Sequence, residues 1–314
     1  KLPTLQKSSN FAVMRTRIII MWLSAALLTL FFSGCTRNGG ADIGTRPTVT
    51  VSIPPQAFLL QKIAGNSLNI NTMLPPGADA ESYEPSMQAQ RSLEESGEYA
   101  MVGTLPFEES MAPKLKNIYP QLVVSRTFVC AHPHHHHDEG EEHHHDHEGD
   151  DPHVWTTPRQ LQIMADTLLQ VAVRANPALR NQYVSNHTAL SRELTRLQQQ
   201  MTNDLSPLRG QAVVIWHPSL SFLAREYGFR QTAIQEGHKE PSPRQMADVV
   251  DEVKAHGAVA FIIEQEHSPR MAEALNADLQ LPLIKTSLMQ PDIIRSLYDL
   301  SRQLNSAYSK QSRQ

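Results

Sequence analysis

At 314 residues, with 40% hydrophobic and 19% charged side chains, the chain is too long for one typical core and too apolar for extended disorder. Two cysteines and no Cys-x-x-Cys pair exclude a disulfide-built scaffold, thiolate zinc fingers and thioredoxin-type redox chemistry. The formal net charge of -4 comes with no basic patch beyond the N-terminal segment, which argues against a nucleic-acid binder.

Residues 1–34 carry Lys1, Lys7, Arg15 and Arg17 and no acid. The two arginines precede an apolar run at 18–32, and Ser33-Gly34-Cys35 follows it. A basic start, a short apolar core and small residues ahead of a cleavage point describe a signal peptide over 1–34. The run falls short of the ~20 residues that a spanning helix needs. Met14 stands where a conventional signal begins, so residues 1–13 are expected to be an upstream extension. Small residues directly before Cys35 resemble a bacterial lipobox, which implies a lipidated cysteine. Residues 35–46, with Asn38-Gly39-Gly40-Ala41, then read as a flexible, lipid-anchored tether at a membrane surface.

The β-rich segment 48–53 predicts a strand, and 56–64 a helix stopped by Gly65. A strand is expected at 68–73, then a loop opened by Pro75-Pro76-Gly77. Helices at 87–95 and 107–117 alternate with strands at 99–103 and 121–125. Leu161, Met164, Leu168 and Val171 give near-helical spacing over 159–175, which Asn176-Pro177 breaks. A longer helix over 179–205 follows, with Tyr183, Leu190, Leu194 and Leu197 among many polar residues. It should extend roughly 40 Å at the usual rise. After Gly210 the alternation resumes, with strands at 212–216, 229–234, 259–264 and 283–286 and helices at 220–227, 243–256, 269–279 and 291–304. Pro243 suits a first helical turn. Such alternation predicts an α/β fold of two lobes, each a parallel sheet flanked by helices, joined by one long α-helix. The expected division is a first lobe over 47–175, a linking helix over 176–206 and a second lobe over 207–310.

Ligands of open parallel sheets bind beyond the carboxyl ends of the strands. Glu81 follows the second predicted strand, His153 the fourth, His217 comes directly after Trp216, and Glu264 ends its strand. These four side chains are therefore placed on one edge, where they are candidate metal ligands. A second candidate is the segment 131–151 within the first lobe. It carries His132, His134, His135, His136, His137, His143, His144, His145 and His147, eight acids and no Lys or Arg. Clustered imidazoles and carboxylates suit zinc, copper or nickel with little selectivity, so this segment reads as a low-affinity metal loop.

The stretches PPGADAESYEP (75–85), DPHVW (151–155), WHPSLSFLAREYG (216–228), EPSPRQ (240–245) and FIIEQEHSP (261–269) resemble the zinc- and manganese-binding solute-binding lipoproteins of ABC importers, the ZnuA-like family. The resemblance spans roughly 48–308, and the histidine-rich insert before DPHVW is similar to the zinc-specific branch. It implies that His153 and His217 are metal ligands. The family's first ligand, a histidine between the Pro-Gly-x-Asp turn and Tyr-Glu-Pro, is Glu81 here, and the fourth position, often Asp, falls on Thr286. A carboxylate can still bind zinc, yet it makes the set harder and manganese more plausible. Losing a carboxylate at Thr286 pushes the other way, leaving the fourth position to water or to Glu264. Tyr83, Trp155 and Tyr227 lie beside the candidate ligands, either drying the site or serving as ordinary core aromatics.

The implied function is extracytoplasmic capture of Zn2+, with Mn2+ as the alternative cargo, for delivery to the membrane permease of an ABC importer. The expected protein is a monomer anchored through Cys35, with no nucleic-acid partner. Other readings are a surface adhesin or zinc buffer without transport, and a zinc hydrolase with Glu81 as base. The last lacks an HExxH helix motif or a GxSxG elbow.

Overall fold

The computed structural model describes residues 46–128, 151–235, 241–265 and 269–313. The signal segment, Cys35, Glu240 and the nine histidines between His132 and His147 lie outside the described residues.

Two four-stranded parallel sheets carry the fold. The first takes β1 (Thr48–Val51), β2 (Asn69–Thr72), β3 (Glu98–Met101) and β4 (Val123–Arg126) in the order β2-β1-β3-β4. The second takes β5 (Ala212–Ile215), β6 (Arg230–Ala233), β7 (Phe261–Glu264) and β8 (Leu283–Thr286) in the order β6-β5-β7-β8. The two orders are equivalent, so the same carboxyl-end edge is available twice. The helices of the first half are α1 (Pro54–Ala64), α2 (Met87–Arg91), α3 (Pro106–Ile118) and α4 (Pro158–Ala175). Then come the long α5 (Arg180–Leu205), α6 (Ser221–Tyr227), α7 (Pro243–His256), α8 (Pro269–Leu279) and α9 (Ile293–Gln311). Among the described residues no helix is long and apolar enough to cross a membrane.

The central strands β3, β5 and β7 are buried at every position, as strands covered on both faces must be. Helix α5 stands between the two sheets in the chain. It buries Tyr183, Leu190, Leu194 and Leu197 in its first two thirds, then Met201, Asp204 and Leu205 near its end. It packs against α1 and α4 of the first half and against α9 of the second. One apolar cluster consequently runs from Val49 and Val51 of β1 through Leu194 to Ile215 of β5 and Leu304 of α9. A second, smaller cluster lies on the other face of the second sheet, between Val214, Phe261, Val250 and Leu275.

Candidate metal centre

Glu81, His153 and His217 each come after a strand in chain order, and local hydrogen bonds hold the segments that carry them. After β2, the Met73 and Leu74 amides still donate to Val51 and Ser52 at 2.9 and 3.0 Å, which carries the chain to the end of the sheet. The Pro75-Pro76-Gly77 turn follows, with Gly77 at a positive φ of 77°. Asp79 then organises the next residues. One of its oxygens accepts the Glu81 amide at 3.1 Å and the other the Ser82 hydroxyl at 2.5 Å. Tyr83 closes the loop by donating its hydroxyl to the Met73 carbonyl at 2.8 Å, and its ring meets Phe107 edge-on at 5.4 Å.

His153 sits in a short link between Asp151 and the 3₁₀ turn Val154–Thr156 that leads into α4. Its backbone amide and its Nδ1 both lie 2.8 Å from Asp151 Oδ1. The Thr156 hydroxyl donates to the His153 carbonyl at 2.9 Å, and Thr104 donates to the Pro152 carbonyl at 2.9 Å. Trp155 is buried with its ring centroid 5.2 Å from that of His153. His217 follows β5 directly. The Trp216 amide donates to Ile262 at 3.0 Å and its carbonyl accepts from Gln235 at 2.9 Å, so the residue before His217 is held on both sides.

Glu81, His153 and His217 converge. One donor atom from each lies within 4.8 Å of the others. His153 Nε2 is 3.7 Å from Glu81 Oε1, His217 Nε2 is 3.4 Å from Glu81 Oε2, and the two imidazole centroids are 5.2 Å apart. Donors at ~2.0–2.1 Å from a tetrahedral zinc stand about 3.4 Å from one another, so two of these spacings approach what one ion requires. The side chains of Glu81, His153 and His217 are 9%, 9% and 4% exposed, which is deep enough to strip most water from a bound cation. A cavity of about 20 Å³, lined in part by Asp79, His153, Trp155, His217, Glu264 and Met289, adjoins the two rings.

The electrostatics favour a cation. Burial disfavours the His217 imidazolium, but the hydrogen bond and charge of Glu81, with the charges of Glu264 and Asp79, outweigh it and hold its pKa above the ordinary histidine value. Burial pushes the Asp151 carboxyl up. Its hydrogen bonds and attraction to His153, with a contribution from Ser221, reverse this and hold it below the usual carboxylate range.

Glu264 is buried on the same small cavity but is not part of the three-donor cluster, and its Oε1 accepts the Ser219 hydroxyl at 2.8 Å. Thr286 pairs with Glu264 across β7 and β8 and is buried without lining the cavity. Of the three aromatics, Trp155 reaches the cavity, Tyr83 anchors the Glu81 loop, and Tyr227 belongs to the main core. The sequence singles out none of Asp79, Ser219 and Met289, and places Asp151 only among the acids of the 131–151 segment. Asp79 and Asp151 stand two residues before a candidate ligand, the spacing at which an aspartate accepts from a backbone amide, and that signal could have revealed them.

The family described as zinc-uptake complex component A, periplasmic (ZnuA), matches residues 49–297. The chain is 26% identical over 283 residues to a protein of Streptococcus pneumoniae named zinc-binding lipoprotein AdcA; the match covers 87% of the chain and 55% of that longer relative. It is 24% identical over 248 residues to a protein of Halalkalibacterium halodurans named manganese-binding lipoprotein MntA, covering 76% of the chain and 78% of the relative. Among solved structures, one titled as the crystal structure of ZnuA superposes with a TM-score of 0.74 at 26% identity, covering 83% of the chain and 99% of that structure.

Proposed function

The chain belongs to the zinc-uptake complex component A family, and on that footing we propose that it is an extracytoplasmic lipoprotein that captures Zn2+ and hands it to the permease of an ABC importer. The observation that carries this reading is the convergence of Glu81, His153 and His217 from loops after β2, after β4 and after β5. Two imidazoles and one carboxylate make a three-point grip on one divalent ion, with ligands drawn from both halves of the fold. Glu264, buried beside the rings with Ser219 holding one oxygen, supplies the fourth position or orients a water that does. As a binding component of an uptake system, the protein needs no bound water activated for hydrolysis. Its work is to hold the ion dry and release it whole.

Manganese is the second reading, and a specific observation favours it. Glu81 places hard oxygen where the family's pattern has nitrogen, and one relative is named for manganese. The histidine-rich segment would collect zinc loosely and feed the inner site, and Cys35 would tether the protein to the membrane.

The test is competition titration of zinc and manganese on protein lacking residues 132–147. One zinc is expected to bind tightly. His153→Ala and His217→Ala should each weaken it by more than the ~10–100-fold typical of lost supporting contacts. Undiminished one-to-one zinc binding in both variants would refute the assignment, and tighter manganese than zinc binding would exchange the cargo.

A further inference from the structure

We infer that Asp151 is a positioning residue that decides which nitrogen of His153 meets the cargo ion. The inference rests on His153 being a ligand and adds a second residue that makes it one. Asp151 Oδ1 lies 2.8 Å from both the backbone amide and Nδ1 of His153. The amide can only donate, so that oxygen is an acceptor fixed in place by the main chain. An acceptor at Nδ1 selects the tautomer with its proton there and leaves the lone pair on Nε2. Nε2 is the atom that faces Glu81, at 3.7 Å. In the opposite tautomer the Nδ1 lone pair would confront Asp151 Oδ1, and the Nε2–H would point at the ion.

The aspartate is itself held. Its side chain is 16% exposed, the one residue between it and His153 is Pro152 with its ring-fixed φ, and Thr104 clamps the Pro152 carbonyl from the loop after β3. Trp155 packs 5.2 Å from the His153 ring, which limits its rotation. Acceptor, linker and ring are thus fixed together before any ion arrives, so little ordering remains to oppose binding.

The experiment uses the full chain. Zinc affinity is measured against a chelator strong enough to keep the histidine-rich segment empty, for the parent and for Asp151→Ala, Asp151→Asn and His153→Ala. The His153 tautomer in the zinc-free protein is read from histidine ring nitrogen shifts, assigned with His153→Ala. Asp151→Ala is expected to lower zinc affinity about 10–100-fold and to release His153 from the single Nδ1–H tautomer. Asp151→Asn keeps an acceptor oxygen, so it should lose less affinity and retain the tautomer. It also serves if the alanine variant does not fold. A His153 that stays in the Nδ1–H form in Asp151→Ala, or unchanged zinc affinity in Asp151→Ala, overturns the inference, as does an Asp151→Asn that loses the Nδ1–H tautomer yet keeps the parent's zinc affinity. If His153→Ala abolishes tight binding while the Asp151 variants match the parent, positioning fails and the ligand assignment stands. If His153→Ala itself binds zinc as the parent does, the assignment falls and the inference with it.

Discussion

His217 is pulled in two directions, and the balance sets a pH dependence. Burial works against its charged form, yet Glu81, Glu264 and Asp79 together raise its pKa above the ordinary ~6.5. In the zinc-free protein the raised value contributes stability below ~6.5 that is lost as pH rises through the folded-state pKa. Zinc needs the neutral ring, so proton and ion compete for it. On acidification, zinc affinity should begin to fall above pH ~6.5, earlier than for an unperturbed histidine. Dissociation constants measured from pH 8 to pH 5.5 would show this, and a constant affinity down to pH 6 would contradict it. Glu81 carries a second residue-scale prediction. Glu81→His restores nitrogen at the family's first ligand position and should raise the preference for zinc over manganese, read as the ratio of the two affinities. An unchanged ratio would mean that Glu81 does not set selectivity. Gly103 carries a third. Its φ is 105°, and a Cβ there would come within 2.8 Å of the Phe128 carbonyl oxygen. Gly103→Ala should cost on the order of 1–3 kcal/mol in denaturant unfolding. It should weaken zinc binding too, because the same loop presents Thr104 to Pro152.

At the scale of elements, most of the architecture was legible because period and punctuation agree. All eight strands occur where β-rich runs were expected, and the α7 boundaries match because Ser242 accepts from the Gln245 amide while Pro243 opens the first turn. Removing that cap with Ser242→Ala should cost about 1 kcal/mol in denaturant unfolding, and no loss would show the cap to be redundant. The differences have local causes invisible to a pattern. Strand β1 stops at Val51 although the apolar alternation runs on, because Gln56 Oε1 takes both the Ser52 and Ile53 amides at 2.9 and 3.2 Å. Helix α9 begins at Ile293, not at Pro291, because Asp292 accepts the Arg295 amide, and it continues past Leu304 to Gln311. Glu108 lies in the first turn of α3. Its carboxylate is buried and gathers the Val102, Gly103 and Leu105 amides together with the Ser52 hydroxyl. The three residues that cluster were legible as candidates from strand-end positions and motif resemblance. Their supports were not, since a hydrogen bond from Asp151 to His153 leaves no period in the sequence.

For the whole molecule the decisive feature is that the two sheets do not have wholly separate cores. Helix α5 is 26 residues long, about 39 Å. Its buried residues join one apolar cluster that takes in β1, α1 and α4 on one side and β5 and α9 on the other. Asp204 adds a polar tie, accepting from Ser301 of α9 at 3.1 Å within the buried layer. Rotating one half against the other would shear this layer, and a packed core resists such displacement. A ligand can move a conformational balance only by its differential affinity for the two states. At the proposed site the ion would meet loop residues whose donor atoms already lie within 4.8 Å of one another, so closure would add little to its grip. Zinc should therefore raise the unfolding temperature by mass action while leaving the overall dimensions nearly unchanged. Calorimetry should show one cooperative transition covering both halves, shifted upward by zinc, and small-angle scattering should give the same radius of gyration with and without the ion. Two resolved transitions would mean that α5 does not couple the halves. A marked compaction on adding zinc would mean that it bends as a hinge, and that release to a permease proceeds by opening the cleft and not by local movement of the ligand loops.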